Sequence, residues 1–290
     1  MAQMIRQEPQ SANDYDDRTT AAVKSVLVEI GQLLGSHREN FAIIGGSVPW
    51  LLLRDAEMPH VGTIDVDLSL NAEALGDGKY ATMIGTLLGN GYEQRPEETK
   101  KFQLVRRIVP NDGGEPIDVI IDFLMPREAQ ITKNKPPLVA GFAVQRADSA
   151  GLAMLFSEMI KLDGAMPTGG TNRVEIAVCS IPAFLAMKGY ALDGRKKQKD
   201  SYDIYYCVRN FPGGIAALVE ACRPILADHR GETGYRHIAA KFEAIDGYGP
   251  TSVQNFVSES SILEDRTPNQ WQRDAFGIVD RWLRELGIRK

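Results

Sequence analysis

The sequence predicts an α+β protein, with a mixed sheet and flanking helices in the N-terminal half and a helical C-terminal half. Up to about residue 180, short apolar or alternating segments typical of strands are interspersed with helical patterns. From Ile181 onward, apolar residues recur mainly at helical spacing. We therefore expect a flexible tail over residues 1–18, an α/β domain over residues 19–180 and a helical domain over residues 181–290.

Predicted helices and strands alternate along the first half. The helices are expected at residues 19–35, 48–56 and 73–89. The strands are expected at residues 41–44, 63–70, 102–109 and 117–124. Residues 126–178 are harder to assign, with candidate strands at 142–145, 153–156 and 174–178. The second half is expected to form helices at residues 181–192, 198–209, 214–227, 233–245, 251–260 and 268–286.

Composition places the chain among ordinary folded proteins. Of its 290 residues 43% are hydrophobic, and the formal net charge of −5 argues against general electrostatic binding to nucleic acid while allowing local basic patches. The three cysteines form no Cys-x-x-Cys motif, as expected in a reducing compartment. The polar N-terminus is unlike a signal peptide, and no apolar run is long enough to cross a membrane. These features predict a cytoplasmic protein with no membrane partner.

Two aspartates stand in the alternating strand predicted at residues 63–70. The period of two places the side chains of Asp65 and Asp67 on one face. Neighbouring carboxylates repel one another unless a cation lies between them, and Mg²⁺ is the usual cation where phosphates are the substrate. An isolated Asp-x-Asp is more often a pair of surface acids, so the interpretation depends on the motif that precedes it.

That motif is Gly45-Gly46-Ser47, which follows a predicted strand and opens a predicted helix. Glycines allow a ligand to approach the backbone closely, and free amides at a helix start favour a phosphate. The Ser47 hydroxyl is a further donor. Together with Asp65 and Asp67, the loop predicts a phosphate-binding cradle that faces a metal site.

A later strand offers a third carboxylate. The period of two places Asp118 and Asp122 on one face of the strand at residues 117–124. A third acid can complete a metal site or accept the proton of an attacking hydroxyl. Asp122 is flanked by apolar residues, where an acid is costly unless it is used or paired. Asp122 is therefore the stronger candidate, and Asp118 is the alternative.

This order of motifs resembles the DNA polymerase beta-like nucleotidyltransferase superfamily. Within it, the chain is most similar to the AbiEii and MenT-type toxins of bacterial toxin–antitoxin systems. The helical half carries this closer resemblance through Lys188, Ala191-Leu192, Arg195 and the run Lys199-Asp200-Ser-Tyr-Asp203-Ile204.

The resemblance implies a bilobed protein with its active site between the lobes. The metal, Mg²⁺ or alternatively Mn²⁺, would be held by Asp65, Asp67 and Asp122. The NTP substrate would be bound by Gly45, Gly46, Ser47 and Lys188. A further acid, Asp203 or alternatively Asp200, would position the substrate or the lysine.

Helix geometry supports part of the site that the resemblance implies for the helical half. Lys188, Arg195, Lys199 and Asp203 share one stripe if a single helix continues through Gly194. The competing interpretation is a ladder of i, i+4 ion pairs on a surface helix, such as Lys199 with Asp203.

The combined motifs predict transfer of a nucleoside monophosphate from an NTP to an acceptor hydroxyl, with release of pyrophosphate. The resemblance implies tRNA as the acceptor and a cognate antitoxin as a partner, and Arg195, Lys196 and Lys199 are candidate RNA contacts. One alternative keeps the fold and modifies a protein or a small molecule. Another is a catalytically silent binding module or antitoxin-like protein.

Overall fold

The computed structural model describes residues 9–71, 78–110, 113–127, 129, 142–258 and 260–290. These residues form two compact units. The first, the sheet unit, comprises Asp17–Val48 and the described part of Gly62–Ser180. The second, the helical unit, comprises residues 9–16, Pro49–Val61 and the described part of Ile181–Lys290. The helical unit thus includes a short segment, Pro49–Val61, that falls within the α/β domain predicted from the sequence.

The sheet unit contains helices and strands in alternation. Its helices are α1 (Asp17–Leu33), α2 (Ser47–Leu52, whose last residues belong to the helical unit), α3 (Lys79–Leu88) and α4 (Ala150–Leu155). Its strands are β1 (Phe41–Ile44), β2 (Asp65–Leu70), β3 (Tyr92–Glu93), β4 (Gln103–Ile108), β5 (Ile117–Pro126), β6 (Gln145–Ala147), β7 (Ser157–Ala165) and β8 (Thr171–Cys179).

Among the described residues, eight strands form one mixed sheet in the order β3-β4-β5-β2-β1-β8-β7, with β6 paired to β5. β2 lies parallel to β5 and antiparallel to β1, and β1 lies parallel to β8. Helix α1 packs on one face, where a Cβ on Gly31 would overlap Val174 and Ile176. The two strands that carry the predicted acids, β2 and β5, are therefore neighbours at the centre of the sheet.

The helical unit is built from α5 (Ile181–Gly194), α6 (Gln198–Asn210), α7 (Gly214–Leu226), α8 (His229–Lys241), α9 (Tyr248–Val257) and α10 (Pro268–Glu285). Its core contains large aromatic side chains with almost no exposure, including Trp271 and Trp282. Helix α10 begins with a capping box, in which Thr267 and Gln270 bind one another's backbone N–H groups. No helix in the described part of the chain combines the length and apolar character that crossing a membrane requires.

Most predicted elements are confirmed within a few residues. These are the strands β1, β2, β4, β5 and β8, the helix α1 and all the helices of the C-terminal half. The helix predicted at residues 73–89 is present as α3, and residues 73–77 of that prediction lie outside the described residues. Residues 1–8 of the predicted tail also lie outside them, while Ala12–Asp14 forms a 3₁₀ turn.

Other predictions are wrong. The strand predicted at residues 153–156 is absent, and these residues belong largely to α4, because the Leu-Ala-Met-Leu run is rich in strong helix formers. Of the candidate strand at 142–145, only Gln145 belongs to a strand, and the helix expected at 48–56 ends at Leu52. Strand β7 is not predicted because it is an edge strand whose charged, exposed residues hide the apolar alternation.

Candidate active site

Strand pairing brings three of the predicted acids to one face of the sheet. In the parallel pair β2–β5, Asp67 lies directly opposite Asp122, and Asp65 lies opposite Ile120. Residues directly opposite one another in a sheet point to the same face, so the three carboxylates share it. All three residues are partly exposed, whereas their neighbours Val66 and Ile121 are fully buried on the other face. We call Asp65, Asp67 and Asp122 the acidic face.

The glycine-rich loop contacts this acidic face directly. Ile44, the last residue of β1, lies opposite Asp67 in the antiparallel pair β1–β2, and Gly45 follows it with a φ of 70°. A Cβ on Gly45 would overlap the Oδ2 atom of Asp67. Glycine is therefore required at this position for two reasons. The backbone is left-handed, and the Asp67 carboxylate approaches too closely to leave room for a Cβ.

Ser47 contributes a buried hydroxyl to the same loop, separated from Gly45 by Gly46. It is the first residue of α2 and is 1% exposed. Its Oγ atom has no hydrogen-bond partner among the described residues. A buried hydroxyl without a hydrogen-bond partner is energetically unfavourable, and in native structures such a group commonly binds a ligand, an ion or a water molecule.

Side chains around the acidic face hold its carboxylates. Thr63 Oγ1 donates to Asp65 Oδ1 at 3.1 Å, and Gln103 Nε2 donates to Asp122 Oδ1 at 2.7 Å. Asp118 has a different environment, because Arg95 donates to both of its carboxylate oxygens at 2.7 and 3.3 Å. The positive charge of Arg95 balances Asp118 in an ion pair, whereas the Gln103 amide that binds Asp122 carries no charge. This difference favours Asp122 as the third functional acid.

The chemistry of the acidic face suits a divalent cation. Its donors are hard carboxylate oxygens, which Mg²⁺ prefers, and the loop with its orphaned Ser47 hydroxyl adjoins them. Within the described ranges, no three His, Cys, Asp or Glu side chains converge tightly enough to form a complete protein cage. Mg²⁺ at nucleotide sites usually binds one or two carboxylates and completes its shell with waters and substrate phosphates, so such a cage is not required.

The predicted residues of the helical half meet in a buried charge cluster. Lys188 Nζ lies 2.6 Å from Asp200 Oδ1 and 2.8 Å from Asp203 Oδ2. Lys199 Nζ lies 2.8 Å from Asp203 Oδ1, and Arg195 donates to both oxygens of Asp200 at 2.8 and 3.0 Å. We call these five residues the charge cluster.

The two helices predicted at residues 181–192 and 198–209 are confirmed, since α5 ends at Gly194 and α6 begins at Gln198. The condition for a shared stripe, one helix continuing through Gly194, is therefore not met, and the residues come together because the two helices pack against each other. The i, i+4 pair of Lys199 and Asp203 does form, yet their side chains are 5% and 0% exposed. The interpretation of this pair as part of an ion-pair ladder on the surface of a helix is therefore wrong, because the pair is buried.

Burial and ion pairing act in opposite directions on the charge cluster. Burial lowers the pKa of Lys188, but the carboxylates of Asp200 and Asp203 outweigh it and hold the pKa above its usual value. Burial raises the pKa of Asp200, but Lys188 and Arg195 outweigh it and bring the pKa to about 2. Lys188 and Asp200 therefore stay ionised at neutral pH, and each of these two charges depends on its partners. Burial acts the other way on Lys199 and lowers its pKa.

The candidate RNA contacts are unequally accessible. Arg195 is half-exposed through its side chain and Lys196 is exposed, so both reach solvent. Lys199 is buried in the charge cluster, and its ammonium also lies over the ring of Tyr15 at 5.2 Å.

His60 is a member of this region that the sequence does not reveal. Its Nε2 atom lies 3.0 Å from Asp203 Oδ1, and its side chain is 1% exposed. Since a carboxylate can only accept, Nε2 carries the hydrogen. The ring packs edge-on against Tyr206, whose hydroxyl donates to the carbonyl oxygen of Met58 at 2.8 Å. A single histidine in an irregular segment provides no periodic signal, so its role becomes visible only in the structure.

His60 should make the stability of the protein sensitive to acid. Burial first, and then repulsion from Lys199, lowers its pKa from 6.5 to about 4, against the hydrogen bond to Asp203. Between these values the unfolded chain takes up a proton that the folded chain excludes, so stability is full above pH 6.5 and falls as the pH drops toward 4. Thermal unfolding from pH 4 to pH 7 should show this slope, and His60→Gln should flatten it. An equal slope in the variant would assign the effect to other groups.

Comparisons with known proteins agree with this architecture. No protein-family model matches the chain, and a search of curated proteins finds no match either. A crystal structure of a Helicobacter pylori protein described as a candidate nucleotidyltransferase is similar, with a TM-score of 0.51 at 10% identity over 94% of this chain and 98% of that one. The crystal structure of JHP933 from Helicobacter pylori is similar as well, with a TM-score of 0.50 at 10% identity over 94% of this chain and 95% of that one. At this identity the likeness concerns the fold alone, and the chain accordingly has a nucleotidyltransferase-like fold.

Proposed function

We propose that this protein is a metal-dependent nucleotidyltransferase, which moves a nucleoside monophosphate from an NTP to an acceptor hydroxyl. The observation that carries the proposal is the register of β2 and β5, which sets Asp67 beside Asp122 next to the Gly45–Ser47 loop. Carboxylates on one sheet face, with a close-approach glycine beside them and an unsatisfied buried hydroxyl two residues further along the loop, are components suited to phosphoryl transfer. The nucleotidyltransferase-like fold supports the same reaction class.

The residues of the acidic face have separate tasks in this proposal. Asp65, Asp67 and Asp122 would hold Mg²⁺, which would neutralise the charge that develops at the α-phosphate. Gly46 and Ser47 bind the triphosphate, with the Ser47 hydroxyl donating to a phosphate oxygen. Asp122 orients the acceptor hydroxyl and takes its proton as the new O–P bond forms and pyrophosphate leaves with the electrons of the broken bond.

The proposal extends to residues of the charge cluster. Lys188 is proposed to contact the NTP, and its ammonium would exchange Asp200 or Asp203 for a phosphate oxygen when the nucleotide binds. Asp203 then acts by positioning the lysine.

The proposed acceptor is tRNA, and the proposed role is that of a toxin acting in the cytoplasm and controlled by an antitoxin. Support for these finer statements comes from the resemblance of the motif order to the AbiEii and MenT-type toxins. Of the three candidate RNA contacts, Arg195 and Lys196 are exposed, and these two are the proposed contacts to the RNA backbone.

A transfer assay with a matched pair of variants tests the proposal. Purified protein is incubated with Mg²⁺, total tRNA and each α-labelled NTP in turn. We expect label on tRNA with the wild type and with Asp118→Asn, because Asp118 is paired with Arg95. Asp122→Asn should transfer at least about 100-fold less, since loss of a general base typically has that effect or more.

Other outcomes of this assay separate the alternatives. Equal activity of Asp118→Asn and Asp122→Asn would contradict the assignment of the third acid. NTP binding without transfer to RNA would redirect the search to protein or small-molecule acceptors. Failure to bind any NTP would leave a catalytically silent binding module.

A further inference from the structure

Gln103 lies on the acidic face beside Asp122. It is the first residue of β4 and stands directly opposite Asp122 in the antiparallel pair β4–β5. Its Nε2 atom donates to Asp122 Oδ1 at 2.7 Å. Its Oε1 atom accepts the backbone N–H of Lys100 at 2.8 Å. Because a backbone N–H can only donate, the amide oxygen must face Lys100, and the NH₂ group must face the carboxylate.

The same two strands offer a contrast between two aspartates. Four residues along β5, Asp118 faces Arg107 in the register and is also bound by Arg95. An arginine balances the charge of the carboxylate it holds, whereas the amide of Gln103 is neutral, so its hydrogen bond orients Asp122 without adding a positive charge. A neutral donor is therefore suited to orient a carboxylate that binds a metal or accepts a proton.

We propose that Gln103 is a positioning residue, which holds one oxygen of the Asp122 carboxylate and thereby sets the plane in which the group meets the metal and the acceptor. The inference rests on the proposed function, because it needs Asp122 to act in the site. Hydrogen bonds of this kind orient metal-binding carboxylates, and their loss typically lowers metal affinity about 10–100-fold.

The test compares two substitutions to methionine at two positions of β4 that lie on the same face of the sheet. Gln103→Met removes the donor at Asp122 and keeps an unbranched side chain, while Arg107→Met removes a half-exposed cation that lies 3.7 Å from Asp118. Full-length wild type and both variants are titrated with Mn²⁺, and free Mn²⁺ is followed by electron paramagnetic resonance. We expect about 10-fold weaker binding for Gln103→Met and unchanged binding for Arg107→Met.

Thermal unfolding of the same samples shows whether the wild type and both variants are folded at the temperature of the Mn²⁺ titration. Unchanged Mn²⁺ affinity in Gln103→Met, or an equal loss in Arg107→Met, would overturn the role of Gln103 while leaving the proposed function standing. A wild type that binds no Mn²⁺ would instead overturn the metal-dependent function, and the inference with it.

Discussion

Gly45→Ala is expected to reduce nucleotidyl transfer by about 100-fold, because the new methyl group takes the space of Asp67 Oδ2. The carboxylate must swing away or the loop must withdraw, and a shift of about 1 Å at a reacting centre typically has an effect of this size. The φ of 70° at this position adds about 1–2 kcal/mol of backbone strain for any residue with a Cβ. Label transfer and Mn²⁺ affinity should therefore fall together.

Gly170→Ala is the matched control for this substitution. Gly170 has a φ of 76° in the turn between β7 and β8, but a Cβ at this position would have no other atom within 4 Å. The variant should show the same strain without the collision, and so lose stability but keep activity. Equal losses of activity in both variants would mean that backbone strain, and not the contact with Asp67, explains the effect.

Lys188→Met is expected to lower the free energy of unfolding by about 3–5 kcal/mol, because it leaves buried carboxylates without their shared cation. Asp200 and Asp203 are both 0% exposed, and Lys188 is within 2.8 Å of each. Arg195 remains paired with Asp200 and Lys199 with Asp203, but the one cation that bridges the two carboxylates is lost. Urea unfolding followed by circular dichroism measures the change.

Lys241→Met provides the comparison at the surface. Lys241 pairs with Asp193 at 3.2 Å, with side chains 31% and 48% exposed, so its loss should alter stability by about 1 kcal/mol or less. If Lys188→Met were as stable as Lys241→Met but failed to bind NTP, Lys188 would be a nucleotide contact with little structural role. If Lys188→Met lost stability but still bound NTP, the charge cluster would have a structural role only.

The features predicted well from sequence are those encoded locally. The period of two in β2 predicts the shared face of Asp65 and Asp67, and a strand followed by two glycines predicts the turn at Gly45. The choice between Asp118 and Asp122 is different in kind. It depends on Arg95, which follows β3, and on Gln103 in β4, and both meet those acids only in the folded sheet. Local periodicity contains no information about these contacts.

The helical half shows the same division. Its helices are predictable because their apolar spacing is regular, yet the way Lys188 meets Asp203 is not. The meeting depends on a break after Gly194 and on the packing of α5 against α6. His60 escapes prediction because its role comes entirely from contacts with residues distant in sequence, Asp203 and Tyr206.

Because Pro49–Val61 belongs to the helical unit, the two units cannot be separated by a single cut in the chain or exchanged between homologues as single segments. The chain leaves the sheet unit directly after the Gly-Gly-Ser loop and returns to it just before the Asp-x-Asp strand, so neither unit is one uninterrupted stretch of coding sequence. A cut at Ser180 would release a helical fragment without His60 and Met58, leaving Asp203 and Tyr206 without their bonds to these residues. The two halves are therefore not interchangeable modules, and exchange of one between homologues would have to carry this internal segment with it.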